Sequence, residues 1–199
     1  MLRDFSCCKM KPPSKRTFWK FTQIFFAEAL AAGLGHFFCF LIDLSQPNVA
    51  MVAGFTAGAS IYLGIWCSFT TSGAQINPAV TLAALITRRM PIYLAPIYIV
   101  GDFVGTLVAM AIAYSVTPFS EQAPGTYGMT LPGEGVSDIA AVFTEAGTTF
   151  VLIVVILAAL DELRAKEWRP ESGAPFPLAV MFTLIVNVVT TVSLSSSPL

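Results

Sequence analysis

Long uninterrupted runs of apolar residues, separated by short polar segments, are the main pattern along this chain. Five runs, at residues 21–42, 49–69, 92–114, 139–160 and 176–194, approach the length that a membrane-crossing helix needs. That length is about 20 residues for a hydrocarbon core of roughly 30 Å. The runs predict helices, because the strands of a transmembrane barrel would be about 10 residues long and would alternate apolar with polar side chains.

A sixth apolar run, residues 80–86, is too short to cross a bilayer and directly follows a segment that contains Gly73 and Pro78. Irregular backbone at membrane depth is tolerated where protein buries it or where it lines a wet cavity, because unpaired polar groups in lipid are costly. The run therefore predicts a re-entrant loop with a half-length helix.

The basic residues predict an orientation for these spans. All 11 lysines and arginines lie within residues 3–20, 88–89 and 164–169, and the connections 43–48 and 115–137 contain none. Segments rich in lysine and arginine stay in the cytoplasm, so five crossings start from a cytoplasmic N-terminus. A four-residue motif around Glu28 recurs around Glu145, and three intervening spans place the two copies in opposite orientations, as in inverted-repeat channels and transporters.

Composition narrows the class of protein further. The chain of 199 residues is 55% hydrophobic and 12% charged, whereas a soluble domain has about 25% charged residues. A net charge of -1 excludes the basic surface of a nucleic-acid-binding protein, and the four cysteines do not form a CxxC metal site. We find no hydrolytic triad, phosphate loop or redox motif, so we predict neither an enzyme nor a bound cofactor. The single histidine, His36, is interpreted as a hydrogen-bonded interior residue.

The segment 72–81, with the sequence SGAQINPAVT, carries the most specific chemistry. Pro78 suits the first position of a helix and Asn77 the capping position before it. Such a helix would start near mid-membrane, with free backbone donors and its positive dipole end towards a cavity. The Asn77 amide and the carbonyls of residues 73–75, expected in extended backbone, would then bind a neutral polar molecule and repel a cation. The predicted pore residues are Gly73, Ala74, Gln75, Asn77, Pro78 and Ala79.

Asn-Pro-Ala alone fits an ordinary capped helix on a loop, but in this context the whole chain resembles the aquaporin (major intrinsic protein) family. The residues that carry the resemblance are Ala27-Glu28, Ser72-Gly73-Ala74, Asn77-Pro78-Ala79-Val80-Thr81, Gly101, Gly105, Glu145 and Pro177-Leu178-Ala179. The resemblance implies an all-α membrane bundle, one water file per protomer and assembly as a tetramer. It also implies that Asn77 is a pore asparagine and that Glu28 and Glu145 hold re-entrant loops by accepting backbone hydrogen bonds. Each acid could equally be a buried, paired or protonated carboxyl.

The resemblance also implies a division of the chain. Residues 1–20 form a cytoplasmic tail, 21–114 a first repeat of three spans and the half-helix, 115–137 an extracellular or lumenal loop, and 138–199 a second repeat of two spans. The family's second half-helix and sixth span would lie beyond Leu199. We therefore expect an aquaporin-like bundle of five transmembrane helices and one re-entrant half-helix, either as a fragment or as a natural truncated form.

Several positions depart from the family pattern. Counting back from Asn77 places Ala57 where the outer constriction usually carries an aromatic ring, and gapless extension of the fifth span places Val188 where a histidine is usual. Gln75 replaces a common histidine, and Asp102 stands where glutamine is frequent. The resemblance and the wide, apolar constriction imply a passive channel for water, extended to small uncharged solutes such as glycerol, urea or peroxide.

Two other functions remain open from the sequence. A truncated subunit that conducts nothing could modulate full-length relatives by joining their tetramer, and an ion-coupled transporter would need more charged ligands than Asp102 offers. The expected partners are water, small neutral solutes, the lipid bilayer and aquaporin subunits in a homo- or hetero-tetramer. The expected location is the plasma membrane or an intracellular membrane.

Overall fold

A computed structural model describes residues 15–42, 48–118, 127, 132–133, 135–160 and 176–195, with side chains from Phe18 to Thr191 within these ranges. The described residues form six α-helices and no strand. The helices are α1 (Lys15–Phe37), α2 (Val49–Ser68), α3 (Pro78–Ile86), α4 (Ala95–Val116), α5 (Asp138–Ala159) and α6 (Phe176–Ser195). Short 3-10 turns lie at Cys39–Leu41 and Ile92–Leu94. The predicted tail up to residue 14, the connection 43–47, most of the outer loop and the basic segment at 164–169 lie outside the described residues.

Each predicted apolar run forms a helix with closely similar bounds, which confirms the all-α bundle. The first helix differs most, because α1 already begins at Lys15 whereas its apolar run starts at Phe21. Lysine and arginine are good helix formers, so the helix continues beyond the apolar region. Among the described residues, α1, α2, α4 and α5 lie in segments long and apolar enough to cross a membrane, and the apolar helix Phe176–Thr191 is shorter. The orientation of these helices stays a prediction.

Close helix contacts hold the bundle together. Helix α1 packs against α2 and α4, α2 against α6, α5 against α6, and the short α3 lies against α4 and α5. A Cβ atom at Gly105 of α4 would overlap the backbone of Ala29 in α1, and one at Gly58 of α2 would lie 2.7 Å from the Met181 carbonyl oxygen in α6. Small residues permit this approach, which is how helices associate in lipid without a hydrophobic driving force.

Candidate functional site

The half-helix α3 begins with the predicted cap. Asn77 has extended backbone (φ -153°, ψ 122°), its Oδ1 accepts a hydrogen bond from the Ala79 N–H at 2.8 Å, and Pro78 occupies the first turn. The helix has nine residues, which corresponds to about 13 Å and is less than half of a bilayer core. Because Oδ1 serves the cap, the Asn77 Nδ2 group remains available as a donor at the helix start.

The backbone that leads into α3 turns sharply. The φ angle is 93° at Gly73, 47° at Ala74 and 56° at Ile76, which is left-handed backbone. The prediction of extended backbone at residues 73–75 is therefore wrong. Left-handed backbone costs about 1–2 kcal/mol at a residue other than glycine, and a branched residue such as isoleucine adopts it rarely. The surrounding structure must therefore stabilise this loop.

Glu28 of α1 supplies that stabilisation from inside the bundle. Its side chain is 0% exposed, and its carboxylate accepts hydrogen bonds from the Gln75 N–H at 3.0 and 3.1 Å and from the Ile76 N–H at 3.0 Å. The left-handed residues direct both N–H groups towards α1. This is the geometry that the resemblance implies for Glu28.

Helix α4 fixes the other end of the same loop. The Tyr98 hydroxyl donates to the Ser72 carbonyl oxygen at 2.5 Å. Sequence reasoning missed Tyr98, although its position four residues before Asp102 places both side chains on one face of the helix. The loop is thus held by a carboxylate on α1 and a phenol on α4.

Gln75 makes a second set of contacts with its side chain. Its Oε1 accepts from the buried Thr81 hydroxyl at 2.6 Å, and its Nε2 donates to the Met90 sulfur at 3.4 Å. These contacts tie the loop to α3 and to the segment that follows α3. The Gln75 side chain is therefore oriented by α3 and by the segment that follows it.

A cavity of about 530 Å³ lies beside the start of α3. Its apolar wall comes mainly from α2, α5 and α6, and its polar wall includes Ser72, Gln75, Asn77, His36 and Arg89. The predicted residues Gly73 and Ala74 also line it. The structure thus brings Asn77 to the edge of one cavity, whereas the predicted pore residues Pro78 and Ala79 are not among its described lining residues.

The two predicted constriction residues differ in position. Ala57 of α2 belongs to the cavity wall, whereas Val188 of α6 is half-buried and is not among the described residues of that wall. On the described residues, the pairing of Ala57 with Val188 is therefore not reproduced. Gapless counting fixes a position along a helix but not the direction in which that residue faces.

The two acids of the repeated motif also differ. Glu145 of α5 is exposed, and its carboxylate has no hydrogen-bond partner among the described residues. Within the described residues Glu145 does not hold a loop, because no described backbone covers this surface of α5. Glu28 is buried by α4 and by the loop, although the local sequences are similar.

Two further residues line the cavity, although sequence reasoning did not assign them to the site. His36 Nδ1 donates to the Ala32 carbonyl oxygen at 2.8 Å, which confirms a hydrogen-bonded interior histidine and adds that it lines the cavity. Arg89 Nη1 donates to the Leu160 carbonyl oxygen at 3.2 Å, at the carboxyl end of α5. A cation at the negative end of a helix dipole is favourable. Arg89 therefore places a positive charge at the cavity.

Comparisons with known proteins agree with this architecture. A family model described as Major intrinsic protein matches residues 15–198. Aquaporin-6 of Rattus norvegicus is 33% identical over 144 residues, which cover 70% of this chain and 51% of that protein. Aquaglyceroporin-2 of Rhizophagus irregularis is 30% identical over 190 residues, which cover 84% of this chain and 60% of that protein. The chain therefore spans about half the length of these curated relatives.

A solved structure supports the fold independently. The X-ray structure of the aquaglyceroporin from Plasmodium falciparum matches with a TM-score of 0.68 and 19% sequence identity, over 86% of this chain and 69% of that one. The family match covers nearly the whole chain, and the helices described above have the corresponding arrangement. The chain is an integral, multi-pass membrane protein that belongs to the major intrinsic protein family.

Proposed function

We propose that this chain is a passive channel subunit that conducts water and small uncharged solutes past Asn77. The observation that carries the proposal is the start of α3 at the edge of the cavity, with Asn77 as its cap and Glu28 holding the loop before it. Free backbone donors at the start of a helix and the Asn77 Nδ2 group can hydrogen-bond a passing polar molecule.

The charges around the cavity favour neutral solutes. The described wall contains Arg89 and no aspartate or glutamate, and the start of α3 adds the positive end of a helix dipole. A cation would lose its hydration shell and face repulsion there, whereas a neutral molecule keeps hydrogen-bond partners along the polar wall. These features support selection against cations.

The size of the cavity supports solutes larger than water. Ala57 contributes only a methyl group to the apolar side of the wall, which also includes Ile61 and Leu184. A protein that is 30% identical to this chain over 190 residues is named Aquaglyceroporin-2. We therefore include glycerol-sized molecules in the proposed substrate class.

Asn77→Asp is expected to reduce osmotic water flux by about tenfold. The substitution removes the amide donors that hydrogen-bond a passing water molecule and places a carboxylate at the positive end of the α3 dipole. The measurement is stopped-flow light scattering on vesicles that contain equal amounts of the reconstituted chain. The matched control is Gln23→Glu, the same change of amide to acid at an exposed position of α1. Wild-type flux in the Asn77→Asp vesicles would exclude Asn77 as a pore residue.

Ala57→Phe is expected to lower glycerol flux at least about fivefold more than water flux, because a ring at this wall position narrows the path for the larger solute. Parallel measurements of glycerol uptake and water efflux on the same vesicles give the ratio. Ala59→Phe adds the same ring to an exposed position of α2 and should leave both fluxes unchanged. Equal losses of water and glycerol flux would contradict a size filter at Ala57.

The competing function is that of a non-conducting subunit that modulates full-length relatives. Flux measurements on the same vesicles distinguish this role from that of a channel. Wild-type vesicles whose water and glycerol fluxes match those of empty vesicles would overturn the channel proposal. Lowered surface level of a co-expressed full-length relative would then favour the modulating role. Flux above the empty-vesicle level supports the channel.

A further inference from the structure

Asp102 is a buried acid that the proposed pore does not use. It lies on α4 with 3% of its surface exposed, and neither carboxyl oxygen has a hydrogen-bond partner among the described residues. The adjacent backbone packs closely against α1, because a Cβ atom at Gly101 would lie 3.0 Å from the Phe25 carbonyl oxygen and 3.1 Å from the Glu28 Cβ. Asp102 therefore lies beside the helix segment that carries Glu28.

Two titratable groups face Asp102 among the described residues. They are the Glu28 carboxyl on α1 and the Tyr98 phenol on α4. Tyr98 already donates its hydrogen to the Ser72 carbonyl oxygen. Of these two groups, Glu28 is therefore the one with which the Asp102 carboxyl can form a hydrogen bond.

An ionised pair would be unfavourable at this position. A carboxylate accepts hydrogen bonds and donates none, so two ionised carboxylates have no hydrogen between them and repel each other. Glu28 has to remain an acceptor, since the Gln75 and Ile76 N–H groups both donate to it. A single hydrogen on Asp102 removes the repulsion and gives Asp102 a partner.

We propose that Asp102 is held as the neutral acid and donates its carboxyl hydrogen to Glu28, which makes Asp102 a positioning residue for the loop that carries Asn77. Asp102 orients Glu28, and Glu28 in turn orients the left-handed backbone before α3. The inference deepens the proposed function, but neither of its tests measures solute flux. Failure of the channel proposal and failure of this inference can therefore be told apart.

The first test is infrared spectroscopy of the purified 199-residue chain at neutral pH in micelles of a detergent that contains no ester or carboxyl group. A protonated carboxyl group has a carbonyl stretch distinct from that of carboxylates and amides, and we expect this band in the wild type. Asp102→Asn should remove the band, whereas Asp138→Asn, at an exposed acid in the first turn of α5, should leave it. Absence of the band in the wild type, or its survival in Asp102→Asn, would overturn the proposal.

The second test is hydrogen exchange at the Gln75 and Ile76 amides. Asp102→Asn retains an N–H donor towards Glu28 and should keep wild-type protection. Asp102→Leu has similar size and no donor, and should speed exchange about tenfold, as expected when a hydrogen bond to a charged group is lost. Equal exchange in the two variants would mean that Asp102 does not act through a donated hydrogen. If Asp102→Leu does not fold, Asp102→Asn decides the test by itself. Faster exchange of the two amides in Asp102→Asn would overturn the proposal, and protection equal to that of the wild type would support it.

Discussion

Glu28→Ala is expected to lower the free energy of unfolding by about 3 kcal/mol or more. A hydrogen bond to a charged group contributes about 1.5–3 kcal/mol, and this substitution removes the bonds from the Gln75 and Ile76 N–H groups together. Both N–H groups would be left in the interior, where an unpaired donor carries its full desolvation penalty. The left-handed backbone of the loop would also lose the contact that compensates its strain.

The measurement is denaturant unfolding in detergent micelles, followed by circular dichroism and tryptophan fluorescence. The chain supplies a matched control in Glu145→Ala, which removes the acid of the repeated motif from an exposed position. Exposed substitutions usually change stability by about 0.5 kcal/mol or less. Similar losses from both variants would show that the effect belongs to the motif and not to the contacts of Glu28 with the loop.

Gly105→Ala is expected to lower the free energy of unfolding by about 2–3 kcal/mol, although alanine is the better helix former. A Cβ atom at Gly105 would overlap the carbonyl group and Cα of Ala29, and neither helix can yield by rotating a side chain because the obstacle is backbone. Helices α1 and α4 would have to separate along the contact that also holds Glu28 and Tyr98 in place.

Gly147→Ala is the control for this prediction. It lies within α5, and a Cβ atom there meets nothing within 4 Å. The same substitution should stabilise the chain by up to about 1 kcal/mol through helix propensity alone. Thermal unfolding of both variants in one detergent gives the comparison. Shifts of the same sign would contradict a packing requirement at Gly105.

Most of the fold could be predicted from sequence because the bilayer sets a length for its helices. The run of apolar residues before Asn77 and the short run after it have no other stable arrangement in lipid than a span and a half-helix. The sequence also predicted that Glu28 needs a partner, since an intramembrane acid is expensive without one. The helix bounds follow from these local constraints, whereas the hydrogen bonds of Glu28 to the loop were expected from the family resemblance.

The rest of the site depends on how helices are rotated against each other. Successive residues of a helix differ in direction by about 100°, so a position counted along the chain does not say whether a side chain meets the cavity. Val188 and Ala57 show this difference. Glu145 shares the motif of Glu28 but not its surroundings, and the left-handed loop follows from tertiary contacts that no run of residues encodes.

The contacts of the re-entrant loop have a consequence for the order in which the chain assembles. Glu28 lies 48 residues before Ile76, but Tyr98 lies 26 residues after Ser72. When the ribosome has just completed the loop, its partner on α1 is already present and its partner on α4 has not yet been made. The contacts with Glu28 can therefore form before the contact with Tyr98, which requires α4 to pack against α1. The loop that carries Asn77 thus receives its second support from a helix that is synthesised after it.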